Sequence, residues 1–204
     1  MTARQRFARL VTDVVVRWPR LWVLFRRPLA RMFDGIAAEW DRLRVTPVHL
    51  APLEAALDRI HPGPKRALDL GTGTGAAARS LTARWPGAEV IGVDVSTEMI
   101  REARARASSG RERYEVADAA ALPFEDALFD VVTLMNMIPF FDELARVTAP
   151  GGAVVAAYSR GAETPIWVPF RRLRAELAAR GFGSFEELAA GNGMSLLAVK
   201  ARLS

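Results

Sequence analysis

The chain has 204 residues, half of them hydrophobic, and a formal net charge of +5, which suits one compact domain with a full core and an extension. It holds no cysteine and only two histidines. Disulfides, thiolate metal sites and cysteine nucleophiles are therefore excluded, no metal is expected, and a reducing, cytoplasmic compartment is the expected setting.

The charge is uneven. Residues 1–31 carry eight arginines against Asp13, a net of +7, and the other 20 basic and 22 acidic side chains give −2. Within this arm Val11, Val14, Val15, Trp18, Trp22 and Phe25 recur at roughly helical spacing. Pro19 and Pro28 are expected to interrupt any long helix. Arg17 and Arg20 make the apolar run too short and too charged to span a bilayer, and no small-residue cleavage site follows it. Three readings stay open for residues 1–31: a helix packed on the domain or closing over its pocket, contact with a membrane surface or lipid-like substrate, and nucleic-acid binding. The last is not expected, because no recognition motif accompanies the arginines. Residues 1–45 read as this helical extension and 46–204 as the catalytic-type domain.

Thr46-Pro47 is a helix start, with Thr46 as the cap, and the helix should run to about Ile60 before the turn HPGPKR. Strands and helices then alternate: RALDL, a helix from AAARSLTARW, EVIGVD, and a helix capped by Ser96. RYEVAD and FDVVTLMNM are the third and fourth strands, FFDELARV a short helix closed by a turn at APGG, and AVVAAYS the fifth strand. A loop and helix follow in TPIWVPFRRLRAELAARGF, then two strands joined by the hairpin turn GNGM. Such alternation predicts an α/β fold, a mostly parallel sheet covered by helices on both faces.

The stretch ALDLGTGTGAAARS places Gly71, Gly73 and Gly75 at every second position between a strand and a helix. A dinucleotide turn reads G-x-G-x-x-G and aims a helix N-terminus at a pyrophosphate. Here the third glycine comes one residue early, and Asp69 stands two residues before the first. That carboxylate would repel a pyrophosphate and suits a phosphate-free, cationic ligand such as S-adenosylmethionine, whose approach Gly71 and Gly73 would allow, with Thr72 and Gly75 of the same turn beside it. Asp94, at the end of EVIGVD, can accept both ribose hydroxyls. Asp118, after the third strand, can accept an adenine amino group, with Val95, Met99 and Ala119 beside the nucleoside. Met99 reads as core ahead of an adenine platform, and Asp69, Asp94 and Asp118 have alternative readings as cap or strand-end acids.

LDLGTGTG, GVDVSTEMIREAR, VADAAALPFEDALFDVV and ELARVTAPGG, in this order, resemble the motifs of class I S-adenosylmethionine-dependent methyltransferases, above all the small-molecule branch of ubiquinone and menaquinone biosynthesis. The resemblance covers roughly residues 34 to 160. It implies a three-layer Rossmann-like fold, a seven-stranded sheet of order 3-2-1-4-5-7-6 with strand 7 antiparallel, and S-adenosylhomocysteine as the product. FDGIAAEWDRL is similar to the family's lead-in, which places Trp40 beside the cofactor. Asp130 and Glu143 match family positions that look structural.

Methyl transfer from a sulfonium is an in-line displacement, so positioning and water exclusion dominate, and a base is needed only when the acceptor must lose a proton. A small-molecule acceptor should enter at the carboxyl ends of strands four and five. That points to Asn136 (also beside the cofactor), Met137, Pro139, Phe140, Tyr158 and Trp167, which favour an apolar or aromatic compound. Asn136, Tyr158 and His49 are the candidate catalytic residues. The alternative is a cofactor-binding protein that has lost transferase activity and acts through its basic arm. An NAD-dependent oxidoreductase is disfavoured by Asp69 and the glycine spacing.

Overall fold

The computed structural model describes residues 2–41 and 47–202; Thr46, the expected helix cap, and the expected division after residue 45 lie outside the described residues. Seven strands form one sheet: β1 (Arg66–Leu70), β2 (Glu89–Asp94), β3 (Glu112–Val116), β4 (Phe129–Met135), β5 (Thr148–Tyr158), β6 (Phe182–Ala190) and β7 (Gly193–Lys200). Their order is β3-β2-β1-β4-β5-β7-β6. Neighbours among β1 to β5 pair in parallel, and β7 runs antiparallel to both β5 and β6. This is the expected sheet.

The helices are α1 (Ala3–Arg17), α2 (Trp22–Asp34), α3 (Pro47–Leu57), α4 (Ala76–Arg84), α5 (Thr97–Ala105), α6 (Phe141–Val147) and α7 (Phe170–Ala178). The central strands bury residues on both faces, so helices must cover both. Leu53, Leu57, Leu81 and Ile100 bring α3, α4 and α5 to one face. Leu144 and Leu173 bring α6 and α7 to the other.

The link from β3 to β4 holds no helix. The arm covers that region instead: Val11, Val15, Trp22 and Leu29 of α1 and α2 join the core cluster that contains Ala119 and Leu122 of the link. Burying side chains of this size is worth roughly 1.5–3 kcal/mol each, so the arm's inner face is anchored by the core. Arg9 adds a clamp, donating to the carbonyls of Ala162 (3.0 Å) and Thr164 (2.6 Å).

Two local expectations are corrected. Pro19 does break the arm, opening a 3-10 turn at Pro19–Leu21, but Pro28 lies inside α2. A proline removes one amide donor and crowds the preceding turn; the burial of Trp22 and Leu29 on either side of it carries the helix through. APGG is not a separate turn. It is drawn into β5, where the register against β4 jumps from Phe129↔Thr148 to Val131↔Ala153, a bulge.

Asp130 accepts the amides of Lys65 (2.7 Å) and Arg66 (3.0 Å), and Glu143 that of Leu122 (2.6 Å); both are struts between loops. Ala190 pairs with Gly193, which leaves Gly191-Asn192 as the hairpin turn read in GNGM. No helix among the described residues is long and apolar enough to cross a membrane.

Candidate functional site

β1 carries Asp69 to 1% exposure. Its two oxygens accept hydroxyl protons from Thr72 (2.6 Å) and Thr133 (2.9 Å), the latter directly opposite in the β1–β4 register. Asp69 therefore lies beneath the glycine turn. Burial pushes its pKa from the ordinary 3.8 up to about 6, against the pull of the two threonines and with added repulsion from Asp94.

Three amides of the turn are consumed within the protein. Thr72 N–H donates to the Val93 carbonyl (2.9 Å), Gly73 N–H to Asp94 Oδ2 (3.0 Å) and Gly75 N–H to the Thr72 carbonyl (2.9 Å). A pyrophosphate would need such amides free. Gly71 (φ +65°) and Gly75 (φ +85°) sit in the left-handed region, and a Cβ would stand 2.6 Å from Met137 Sδ at the first and 2.7 Å from the Tyr114 hydroxyl at the second. At Gly73 a Cβ would face the Met99 sulfur (3.9 Å) and Trp40 Nε1 (4.0 Å), so the structure does bring Trp40, Met99 and the turn together. Met99 is also fully buried, which reconciles its two readings.

Asp94 ends β2 half-buried. Its second oxygen accepts the Ser96 amide (2.9 Å), and burial raises its pKa against three backbone amides, Val95 among them. Ser96 caps α5 by accepting the Met99 amide (3.1 Å). Asp118 is half-buried beyond β3, next to the buried Ala119. It is engaged by the arm: Oδ1 accepts Trp22 Nε1 (2.7 Å) and the Ala120 amide (2.9 Å), and Oδ2 faces Arg26 (3.2 Å).

Across β4, Asn136 adopts a left-handed conformation (φ +52°), a strained state for a residue with a side chain. It donates to Ser159 Oγ (3.0 Å) and accepts the Ser159 amide (2.9 Å), tying the ends of β4 and β5. Met137 covers Gly71, Pro139 is buried, and Phe140 meets the Trp22 ring edge-on at 5.3 Å. Tyr158, Trp167 and Phe170 form one aromatic cluster, with Tyr158 and Trp167 centroids 4.8 Å apart. The Tyr158 hydroxyl is buried without a partner of hydrogen-bond geometry. Burial raises its pKa, only partly offset by the nearby Val168 amide, so it stays protonated and can donate but not act as a base. His49 is on α3, whose buried side chains pack on the opposite face of the sheet from Phe140 and Tyr158. Among the described residues no cluster of His, Cys, Asp and Glu could hold a metal ion.

Five site residues went unread in the sequence. Thr133 and the pair Trp22 and Arg26 carried no motif. Asp34 accepts from Ser96 Oγ (2.5 Å) and the Glu98 amide (3.3 Å). Asp41 accepts the Thr74 hydroxyl and pairs with Arg79 (3.5 Å) and Arg106 (3.3 Å). The last two lie within FDGIAAEWDRL, beside Trp40, so that motif held the signal.

A family model described as a methyltransferase domain matches residues 67–152. The chain is 44% identical over 137 residues to a demethylmenaquinone methyltransferase of Thermus thermophilus, covering 61% of this chain and 62% of that protein. A malonyl-[acyl-carrier protein] O-methyltransferase of Halorhodospira halophila is 39% identical over 143 residues, 65% of this chain and 48% of its own length. The chain thus spans about half to three fifths of these two relatives. A demethylmenaquinone methyltransferase of Roseiflexus castenholzii is 30% identical over 179 residues, 77% of this chain and 72% of its own. Among solved structures, an S-adenosylmethionine-dependent methyltransferase from Aquifex aeolicus superposes with a TM-score of 0.67 at 18% identity, covering 81% of this chain and 98% of its own.

Proposed function

The chain belongs to the class I S-adenosylmethionine-dependent methyltransferases, and we propose that it transfers the methyl group of that cofactor to a small apolar or aromatic molecule. One observation carries the cofactor reading: three amides of the turn are spent inside the protein while the buried Asp69 lies beneath it, and Asp94 and Asp118 stand at the end of β2 and just beyond β3. That set suits a nucleoside with a cationic sulfonium and ammonium and no phosphate.

In this reading Asp94 receives the ribose hydroxyls, Trp40 and Met99 flank the nucleoside by Gly73, and Val95 and Ala119 line its edge. Asp69 stabilises the cationic end from beneath the turn. Asp118 receives the adenine amino group in exchange for Trp22 and Arg26. The bound cofactor supplies an activated methyl group. The chain's own residues orient the acceptor and exclude water, which is the work of Phe140, Met137, Pro139 and the Tyr158–Trp167–Phe170 cluster. These rings, and the likeness to quinone methyltransferases, support an aromatic acceptor. Asn136 is a positioning residue that holds the ends of β4 and β5 together. The cysteine-free composition fits a reducing, cytoplasmic setting.

The test is transfer of labelled methyl from S-adenosylmethionine to apolar compounds extracted from cells, compared with the Asp94→Ala variant. Label entering an aromatic, organic-soluble product and lost in the variant supports the reading. Cofactor binding without transfer to any acceptor returns the inactive alternative.

A further inference from the structure

The outer side of the arm is built unlike a solvated surface. Along α2 and the turn before it, Arg20, Val23, Leu24, Arg27 and Arg31 are exposed at intervals of three, one, three and four, a single helical face. Trp22 and Leu29 point the other way into the core. The face holds only arginine and apolar side chains, with Leu24 64% and Val23 58% exposed. Trp18 and Leu21 extend it at the corner between the helices, and the Arg17 guanidinium stacks on the Trp18 ring at 4.8 Å. Leu10 is exposed on α1 between Arg6 and Arg17.

The arginines here are also unusual for this chain. On the body, Arg84, Arg146 and Arg180 each hold two carboxylates. Arg4, Arg6, Arg20, Arg27 and Arg31 make no ion pair among the described residues. These five unpaired arginines belong to an arm with a net charge of +7, on a body whose remaining charge is −2.

We propose that the outer face of the α1–α2 arm docks on anionic lipid bilayers. Lipid phosphates would meet the unpaired arginines, Trp18 would sit at the headgroup level, and Leu21, Val23 and Leu24 would enter the acyl boundary. A nucleic acid would be served by the arginines but not by five exposed apolar side chains. The same helix turns Trp22 inward to Asp118 and to the Phe140 ring, so a docked arm would hold this side of the proposed site toward the bilayer, where an apolar acceptor dissolves. The docking surface itself does not depend on the transferase reading.

The test is co-sedimentation of the full chain with phosphatidylcholine vesicles, with and without about 30 per cent phosphatidylglycerol, at low and physiological salt. Binding should be at least about ten-fold tighter to the anionic vesicles, weaken with salt, and blue-shift tryptophan fluorescence. The double variant Arg20→Gln/Arg27→Gln should lose roughly 25-fold, about five-fold for each arginine. Val23→Ser/Leu24→Ser should keep the salt-sensitive part and lose the fluorescence shift. All four positions are exposed, so both variants should retain the wild-type melting curve and cofactor affinity, which separates failure here from failure of the transferase reading. Equal partition onto neutral and anionic vesicles, no binding to either, or preferential binding of an oligonucleotide that displaces the vesicles would overturn the proposal. So would a vesicle-free dimer that Val23→Ser/Leu24→Ser dissociates.

Discussion

Replacing Asp69 with asparagine should stabilise the protein at neutral pH and weaken its hold on the cofactor. The carboxyl titrates at about 6 in the folded chain against an ordinary 3.8. At ~1.4 kcal/mol per pH unit, this gap of about two amounts to ~3 kcal/mol. Because the folded value is the higher one, the unfolded chain ionises first as pH rises, and the native state loses stability between about pH 4 and pH 6. Above about pH 6 the full penalty is present. Asparagine has no such ionisation, and the site can hold its amide: Thr72 still donates to one side, and Thr133 can accept on the other by turning its own proton to the Leu68 carbonyl, 3.4 Å away. Urea unfolding of both proteins across about pH 4 to pH 8 measures the difference, which should grow by up to ~3 kcal/mol in favour of Asp69→Asn. S-adenosylhomocysteine affinity should fall in the variant, and that of the wild type should weaken as pH drops through about 6. A stability difference independent of pH, or one that grows in favour of the wild type, would refute the buried, strained carboxylate.

Trp22→Phe keeps the ring against Phe140 but removes the donor to Asp118, so cofactor affinity should rise by several-fold, up to about ten-fold; calorimetry showing weaker or unchanged binding contradicts the exchange at Asp118. Tyr158→Phe deletes a buried hydroxyl without a partner and should raise the unfolding free energy by roughly 1 kcal/mol, with a denaturant midpoint shift as the readout. Gly75→Ala should cost more than Gly71→Ala. The new methyl meets the rigid Tyr114 ring at the first site and the flexible end of Met137 at the second, so losses of about 3 and about 1 kcal/mol are expected. Equal losses would mean that backbone conformation alone decides both.

The sheet was legible because each of its elements carried a strong local pattern. EVIGVD and FDVVTLM can only be strands buried on both sides, and Ser96 and the glycine turn mark their helix starts by chemistry that acts within a few residues. The errors were tertiary. Pro28 reads as a break until the core contacts of Trp22 and Leu29 are known, and APGG reads as a turn until the pairing of Thr148 and Ala153 with β4 on either side of it takes it into β5. In the site, Asp69, Asp94 and Asp118 were found by their place at strand ends, but not their partners. Thr133 reaches Asp69 from 64 residues away and Trp22 reaches Asp118 from 96, distances over which no sequence period carries information. The outer face of α2 was half legible: the arginines show in the charge count, whereas which side faces solvent depends on the core beneath.

The most direct measurement is calorimetric titration of the protein with S-adenosylmethionine, S-adenosylhomocysteine and NAD under one buffer condition. A turn with three amides spent and the buried Asp69 beneath it predicts micromolar binding of the first two, lost in Asp94→Ala, and none of the pyrophosphate-bearing NAD. Binding of NAD with neither sulfur nucleoside retained would contradict the account at its centre.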